Sequence, residues 1–207
     1  MSGENNNIKI ICITGGIGSG KSLISNMLRG MGYTVLDSDS ITKEQVMRPG
    51  CKGFDGIVSF FGKDVLDREG EIDRKKLAQI VFSDKEKLET LNSITHPATV
   101  DEIMFLVRSA EERGEKIIFV ESALPFVADF DKFCDEFWYI RADEEERIGR
   151  LMAQRGYTRE KSESVLKSQM SDAEFSERCN RIIENHDNAD FDLIRKQIVE
   201  IIDEIFA

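Results

Sequence analysis

Near the start of the chain, Gly15-Gly16-Ile17-Gly18-Ser19-Gly20-Lys21-Ser22 fits the pattern G-x-x-x-x-G-K-[ST]. Each fixed residue type answers a chemical need. Glycines let successive backbone N–H groups turn inward around phosphate oxygens, a curvature that side chains would obstruct. A helix opening at Lys21 aims the positive end of its dipole at the same anion. Gly16, Ile17, Gly18, Ser19, Gly20, Lys21 and Ser22 are therefore expected to hold the phosphates of ATP. Lys21 would neutralise β- and γ-phosphate charge, and the Ser22 hydroxyl would ligate Mg²⁺. The four fixed positions recur by chance in about one chain in a hundred of this length, so the flanking context decides.

A second group of residues able to do chemistry is Asp37-Ser38-Asp39, which closes the next apolar run. Open α/β sheets bind ligands beyond the C-terminal ends of their strands. Two carboxylates there can orient or deprotonate an acceptor hydroxyl and help hold Mg²⁺. The structural alternative is that Asp39 or Ser40 caps the following helix. Asp37, at the strand end beside the phosphate loop, is read as the functional residue and a second metal ligand.

These groups need a sheet to position them. Residues 8–14 form an apolar run broken by one lysine, as expected of a strand covered on both faces. Leu23, Ile24, Met27, Leu28 and Met31 then recur at helical spacing, and Gly30 and Gly32 end that helix. Residues 33–36 read as a second strand. Strand, glycine turn, helix and strand make a βαβ unit, which predicts a parallel sheet. Residues 52–113 are mainly helical, with a turn at Asp67-Arg68-Glu69-Gly70, and residues 116–121 and 136–141 read as buried strands. Charged helical stretches follow over 144–154 and 159–169, then a short strand over 181–184. The C-terminal helix carries Ile194, Ile198, Ile201, Ile202 and Ile205 on one stripe.

The bulk properties exclude several classes. With 207 residues, 41% hydrophobic and 32% charged, the chain suits one soluble α/β domain with a sizeable core. A net charge of -11 argues against general binding to nucleic acid or anionic membranes. Four scattered cysteines and two histidines form no zinc pattern, and reduced thiols in the cytosol are the plain reading. Residues 1–7 lack the basic start of a signal peptide, and no apolar run approaches a membrane span. A cytoplasmic location is expected.

The string from Thr14 to Ser22, then Asp37-Ser38-Asp39, then Leu91-Asn92-Ser93-Ile94-Thr95-His96-Pro97, resembles the dephospho-CoA kinase family over nearly the whole chain. Members typically read T-G-G-I-G-S-G-K-S, then D-A-D after the second strand, then a helix ending in H-P. The resemblance implies a P-loop nucleoside triphosphate hydrolase-like α/β fold of three layers with a parallel central sheet. It implies one domain over 1–207, with a core of residues 1–51, 114–142 and 181–207, a helical substrate-binding region over 52–113 and a lid over 143–180. It also implies ATP-dependent phosphorylation of the ribose 3′-hydroxyl of dephospho-CoA, with Asp37 activating that hydroxyl. Asp39, Lys43 and His96 would lie on the acceptor side. Without the resemblance, His96 reads as a helix C-cap or a packed histidine.

Departures from the family pattern are local. Lys43 stands for the usual arginine, keeping charge but losing bidentate geometry. Val127 replaces an acid, Gln154 stands where an arginine is expected, and Asn180 replaces an aspartate. The lid arginine on the transferring phosphate would be Arg150 or Arg155, ranked ahead of Arg147. A plainer account pairs Arg147 and Arg150 with the acids of residues 143–146 on a solvated helix, at about 0.2–0.5 kcal/mol per pair. Shikimate kinase is the nearest competing resemblance, but no glycine cluster follows the third strand at Glu121-Ser122-Ala123-Leu124. A guanine-nucleotide switch is the competitor from another class. Its D-x-x-G would be Asp67 to Gly70, but no N-K-x-D follows.

Overall fold

A computed structural model describes residues 8–207, so residues 1–7, including their reading as free of a signal peptide, lie outside the described residues. Along the chain, β1 (Lys9–Thr14) leads through the glycine loop into α1 (Lys21–Gly30) and on to β2 (Val35–Asp37). Next comes α2 (Ser38–Ile41), which runs on as a wider π turn over Thr42–Val46, then α3 (Lys52–Phe61), α4 (Arg74–Phe82) and α5 (Lys85–Glu112). After β3 (Ile117–Glu121) and β4 (Glu136–Arg141) come α6 (Glu144–Arg155), α7 (Arg159–Lys167) and α8 (Asp172–Arg178). The short β5 (Arg181–Glu184) and the long α9 (Phe191–Phe206) close the fold.

Two compact units divide the chain, one built on Leu36–Lys116 and the other on Lys9–Val35 with Ile117–Ala207. The sheet has the strand order β2-β3-β1-β4-β5, and β1, β3, β4 and β5 belong to the second unit. The β1–β3, β1–β4 and β4–β5 pairs are all parallel, as the βαβ reading expects. One face of the sheet presents Ile11, Ile13, Phe119, Trp138, Ile140 and Ile183 to Ile24 and Leu28 of α1 and to the isoleucine stripe of α9. Alternation puts Cys12, Val120 and Tyr139 on the opposite face, where they are buried as well. Burial on both faces explains why these strands read as unbroken apolar runs.

Two boundaries differ from the sequence reading by two residues, for local reasons. β2 begins at Val35, because the Tyr33 N–H is still bonded to the Leu28 carbonyl at the end of α1. Helix α7 stops at Lys167, since Ser168 and Gln169 turn back onto Val165 and Leu166. The Gln169 side chain is thereby released from the helix.

In the first unit, α3, α4 and α5 enclose Ile57, Val65, Ile72, Leu77 and Val81. The Asp67 to Gly70 turn lies inside an antiparallel Leu66–Ile72 bridge, a polar corner rather than a strand-end switch. The family-like expectation of a helix ending at His96-Pro97 is overturned, because α5 runs through Pro97 without a break for 28 residues. Thr95, Thr99, Ile103 and Val107 form a buried stripe across the proline. That continuous packing outweighs a helix-interior proline's cost of about 3 kcal/mol.

Candidate active site

The glycine loop spans the end of β1 and the start of α1, and three of its glycines have positive φ: Gly15 at 150°, Gly18 at 79° and Gly20 at 94°. The five carbonyls from Gly15 to Ser19 each accept a hydrogen bond from a side chain. Lys21 Nζ donates to Gly15 O at 2.7 Å and to Gly16 O at 3.2 Å. Arg147 Nε donates to Ile17 O at 3.0 Å, and Arg150 Nη1 to Gly18 O at 3.0 Å and Ser19 O at 3.3 Å. Asn185 Nδ2 completes the set on Ser19 O at 2.7 Å. In a trans peptide the N–H points opposite to the C=O. Donors on the carbonyls therefore fix which way the following N–H groups face; of these, the Ile17 N–H donates to Gln169 Oε1 at 2.8 Å and the Ser19 N–H to Gly16 O at 3.2 Å.

The close approach explains two of the glycines. A Cβ on Gly16 would strike the Arg147 guanidinium, and one on Gly20 would strike the Asn185 amide. The plain account of Arg147 and Arg150 as solvated i,i+4 partners does not hold. Arg147 is only 5% exposed and pairs with Asp172 of α8 at 3.3 Å, while Arg150 pairs with Asp187 at 2.8 Å. Both reach the loop, whereas Arg155 is the last residue of α6 and lies exposed.

Ser22 Oγ donates to Glu121 Oε1 at 3.0 Å. Glu121 ends β3, which is paired directly to β1, and the residue is 9% exposed. A hydroxyl and a carboxylate oxygen this close are the donor types that Mg²⁺ takes. Sequence reading passed over Glu121, although a carboxylate ending a buried strand next to the phosphate loop was visible. Asn185, Gln169 and Asp172 gave no such signal, because each lies in or beside a polar connection.

Asp37 itself is the helix cap, the role that the structural alternative gave to Asp39 or Ser40. Its Oδ1 accepts the N–H groups of Asp39 at 3.0 Å and Ser40 at 3.1 Å, and its Oδ2 accepts Ser40 Oγ at 3.1 Å. These bonds hold the carboxylate still while leaving lone pairs on Oδ2 for a further donor. Asp39 and Lys43 are exposed, Lys43 on the π turn, and His96 is half-buried on α5.

Behind the loop, His186 sits among three carboxylates. Its Nδ1 is 3.1 Å from Glu146 and 3.7 Å from Asp143, and its Nε2 is 3.3 Å from Glu184. The Glu146 contact outweighs partial burial and raises the imidazole above its ordinary range. Burial would raise Glu146, but bonds from the Asp187 N–H and from His186 outweigh it and hold that carboxyl low.

The dephospho-CoA kinase family model matches residues 9–190. This chain belongs to the dephospho-CoA kinase family. A dephospho-CoA kinase of Fusobacterium nucleatum is 39% identical over 91% of this chain and 95% of its own length. A crystal structure of a Thermus thermophilus protein superposes with a TM-score of 0.80 at 30% identity, covering 96% of this chain and 98% of that one. The dephospho-CoA kinase of Campylobacter jejuni, 24% identical with a TM-score of 0.68, covers 95% of this chain and 96% of that one and shows the same fold. The fold is thus the P-loop kinase α/β fold.

The departures from the dephospho-CoA kinase pattern have identifiable surroundings. Asn180 Oδ1 accepts the Phe137 N–H at 2.8 Å and so ties the approach to β5 onto β4, which needs an acceptor and no charge. Val127 and Gln154 are exposed.

Proposed function

We propose that this chain transfers the γ-phosphoryl group of ATP to the ribose 3′-hydroxyl of dephospho-CoA, giving CoA and ADP as the last step of coenzyme A synthesis. The observation that carries the reading is the phosphate loop, its five carbonyls from Gly15 to Ser19 held by Lys21, Arg147, Arg150 and Asn185, in a chain of this family. The loop N–H groups and the N-terminus of α1 would receive the phosphates, and Lys21 would move from loop carbonyls onto the terminal phosphate oxygens. Ser22 and Glu121 would hold Mg²⁺, which when bound neutralises charge on the β- and γ-phosphates.

Asp37 orients the acceptor hydroxyl and takes its proton, with Asp39, Lys43 and His96 lining the acceptor side. Arg150, with Arg147 beside it, meets charge developing on the transferring group; Arg155 is the alternative for that role. Phosphoryl transfer asks little covalent chemistry of a protein, so alignment and charge neutralisation carry the rate. On this reading residues 52–113 receive the acceptor, residues 143–180 act as a lid over a core of residues 1–51, 114–142 and 181–207, and the reaction is cytoplasmic. Among the described residues no helix is long and apolar enough to cross a membrane.

A coupled ADP-release assay with ATP and Mg²⁺ tests this across dephospho-CoA, shikimate, nucleoside monophosphates and no acceptor. Turnover that depends on dephospho-CoA supports the reading. Turnover with another acceptor alone overturns it.

A further inference from the structure

One residue of the phosphate loop is held at every group it offers. The Ile17 side chain packs among Ile148, Leu151, Leu166 and Tyr157, between α6 and α7. Its carbonyl accepts from Arg147 Nε at 3.0 Å, and its N–H donates to the side-chain Oε1 of Gln169 at 2.8 Å. Gln169 lies in the connection between α7 and α8, held where its own N–H bonds the Leu166 carbonyl at 3.1 Å. The following Ser171 caps α8, and Asp172 of that helix receives both Tyr139 Oη at 2.6 Å and Arg147.

The Ile17 N–H shares one rigid peptide plane with the Gly16 carbonyl, and the two groups point in opposite directions. On the far side of that plane, Gly16 O accepts from Lys21 Nζ and from the Ser19 N–H, each at 3.2 Å. Gln169 on one edge of the plane therefore determines where the other edge presents its oxygen. Remove the acceptor, and the Ile17 N–H must turn to find another, since a half-buried donor without one is costly. The Gly16 carbonyl then turns with it, and Lys21 loses its rest on that carbonyl.

We propose that Gln169 is a positioning residue for phosphoryl transfer, acting through the Gly16–Ile17 peptide on Lys21 and coupling the α7–α8 connection to the phosphate loop. The inference rests on the kinase reading for its rate consequence and on geometry alone for the loop. What Gln169 supplies is an acceptor, not a charge or a proton. Methionine copies its length without a useful acceptor, whereas glutamate keeps one.

The test compares wild type, Gln169→Met and Gln169→Glu by steady-state kinetics and by amide hydrogen exchange of peptides covering residues 15–21. Gln169→Met is expected to lower kcat about tenfold or more while KM for dephospho-CoA stays within about twofold, the signature of lost transition-state alignment. Its loop amides should exchange faster than in wild type. Gln169→Glu should restore both the slow exchange and most of kcat at saturating ATP, its added charge appearing in KM for ATP. Unchanged loop exchange in Gln169→Met, whatever the substrate, overturns the proposal. So does a Gln169→Glu protein that is folded yet as impaired as Gln169→Met. A wild type that turns over a different acceptor defeats the substrate reading and leaves the exchange measurement to judge Gln169.

Discussion

Ser22 Oγ lies 3.0 Å from Glu121 Oε1, joining the last residue of the phosphate loop to the end of the neighbouring strand. β1 and β3 run parallel and in contact, so their C-terminal ends deliver the loop and the carboxylate to the same edge of the sheet. Glu121→Gln keeps the shape and the acceptor but removes the charge that attracts a divalent cation. It should raise the Mg²⁺ concentration needed for half-maximal rate by about tenfold or more, while Tm changes little. A Mg²⁺ titration of ADP release checks this; an unchanged midpoint removes Glu121 from the metal site.

Lys21→Met deletes the loop's own cation and keeps most of the apolar stem. Turnover should fall by about a thousandfold or more, as for loss of a group that meets transition-state charge. Residual turnover within tenfold of wild type contradicts the role given to Lys21.

Asp37→Asn separates the residue's two jobs. Asparagine caps a helix about as well as aspartate, so folding should survive. It cannot take a proton, so kcat should fall about a hundredfold or more while KM for ATP stays within about threefold. A near-normal rate would reduce Asp37 to a cap.

Arg150 and Arg155, the two candidates for the phosphate contact, can be ranked against each other. Arg150→Ala removes bonds to Gly18, Ser19, Asn185 and Asp187 and should cost at least about tenfold in kcat. Arg155→Ala alters an exposed helix end and should cost less than twofold or so. The reverse order in a steady-state comparison would assign the phosphate contact to Arg155.

The imidazole of His186 faces Asp143, which caps α6, Glu146 of α6 and Glu184 of β5, with Arg141 of β4 paired to Glu184. Its folded pKa is raised, so its stabilisation is full below the unfolded value near 6.5 and is lost as pH rises through the folded value. Glu146 is lowered, so its share is present above about 4.3 and fades as pH falls. His186→Gln should therefore lower Tm most at roughly pH 5–6.5, by about 1–3 °C for so exposed a cluster, and least above about pH 8. A Tm difference that does not vary with pH would contradict the protonated cluster.

The fold was legible wherever burial on both faces produced an unbroken apolar run, as in β1, β3 and β4, and wherever glycine ended a helix, as at Gly30. The loop itself was legible because its chemistry dictates residue types at fixed spacing. What surrounds the loop was not. Arg147 looked like one charged residue of an acidic helix, because its partners Ile17 and Asp172 lie far away in sequence. Asn185 and Gln169 act through single carboxamide bonds, which leave no periodicity. Pro97 looked like a helix end because local propensity cannot register the buried stripe that carries α5 past it.

The most direct test of the central claim is to identify the product. Purified protein with ATP, Mg²⁺ and dephospho-CoA should yield CoA and ADP in equal amounts by mass spectrometry. Phosphorus NMR should place the new monophosphate on the ribose 3′-oxygen. ADP formed without CoA, or a phosphate at another position, would contradict the account.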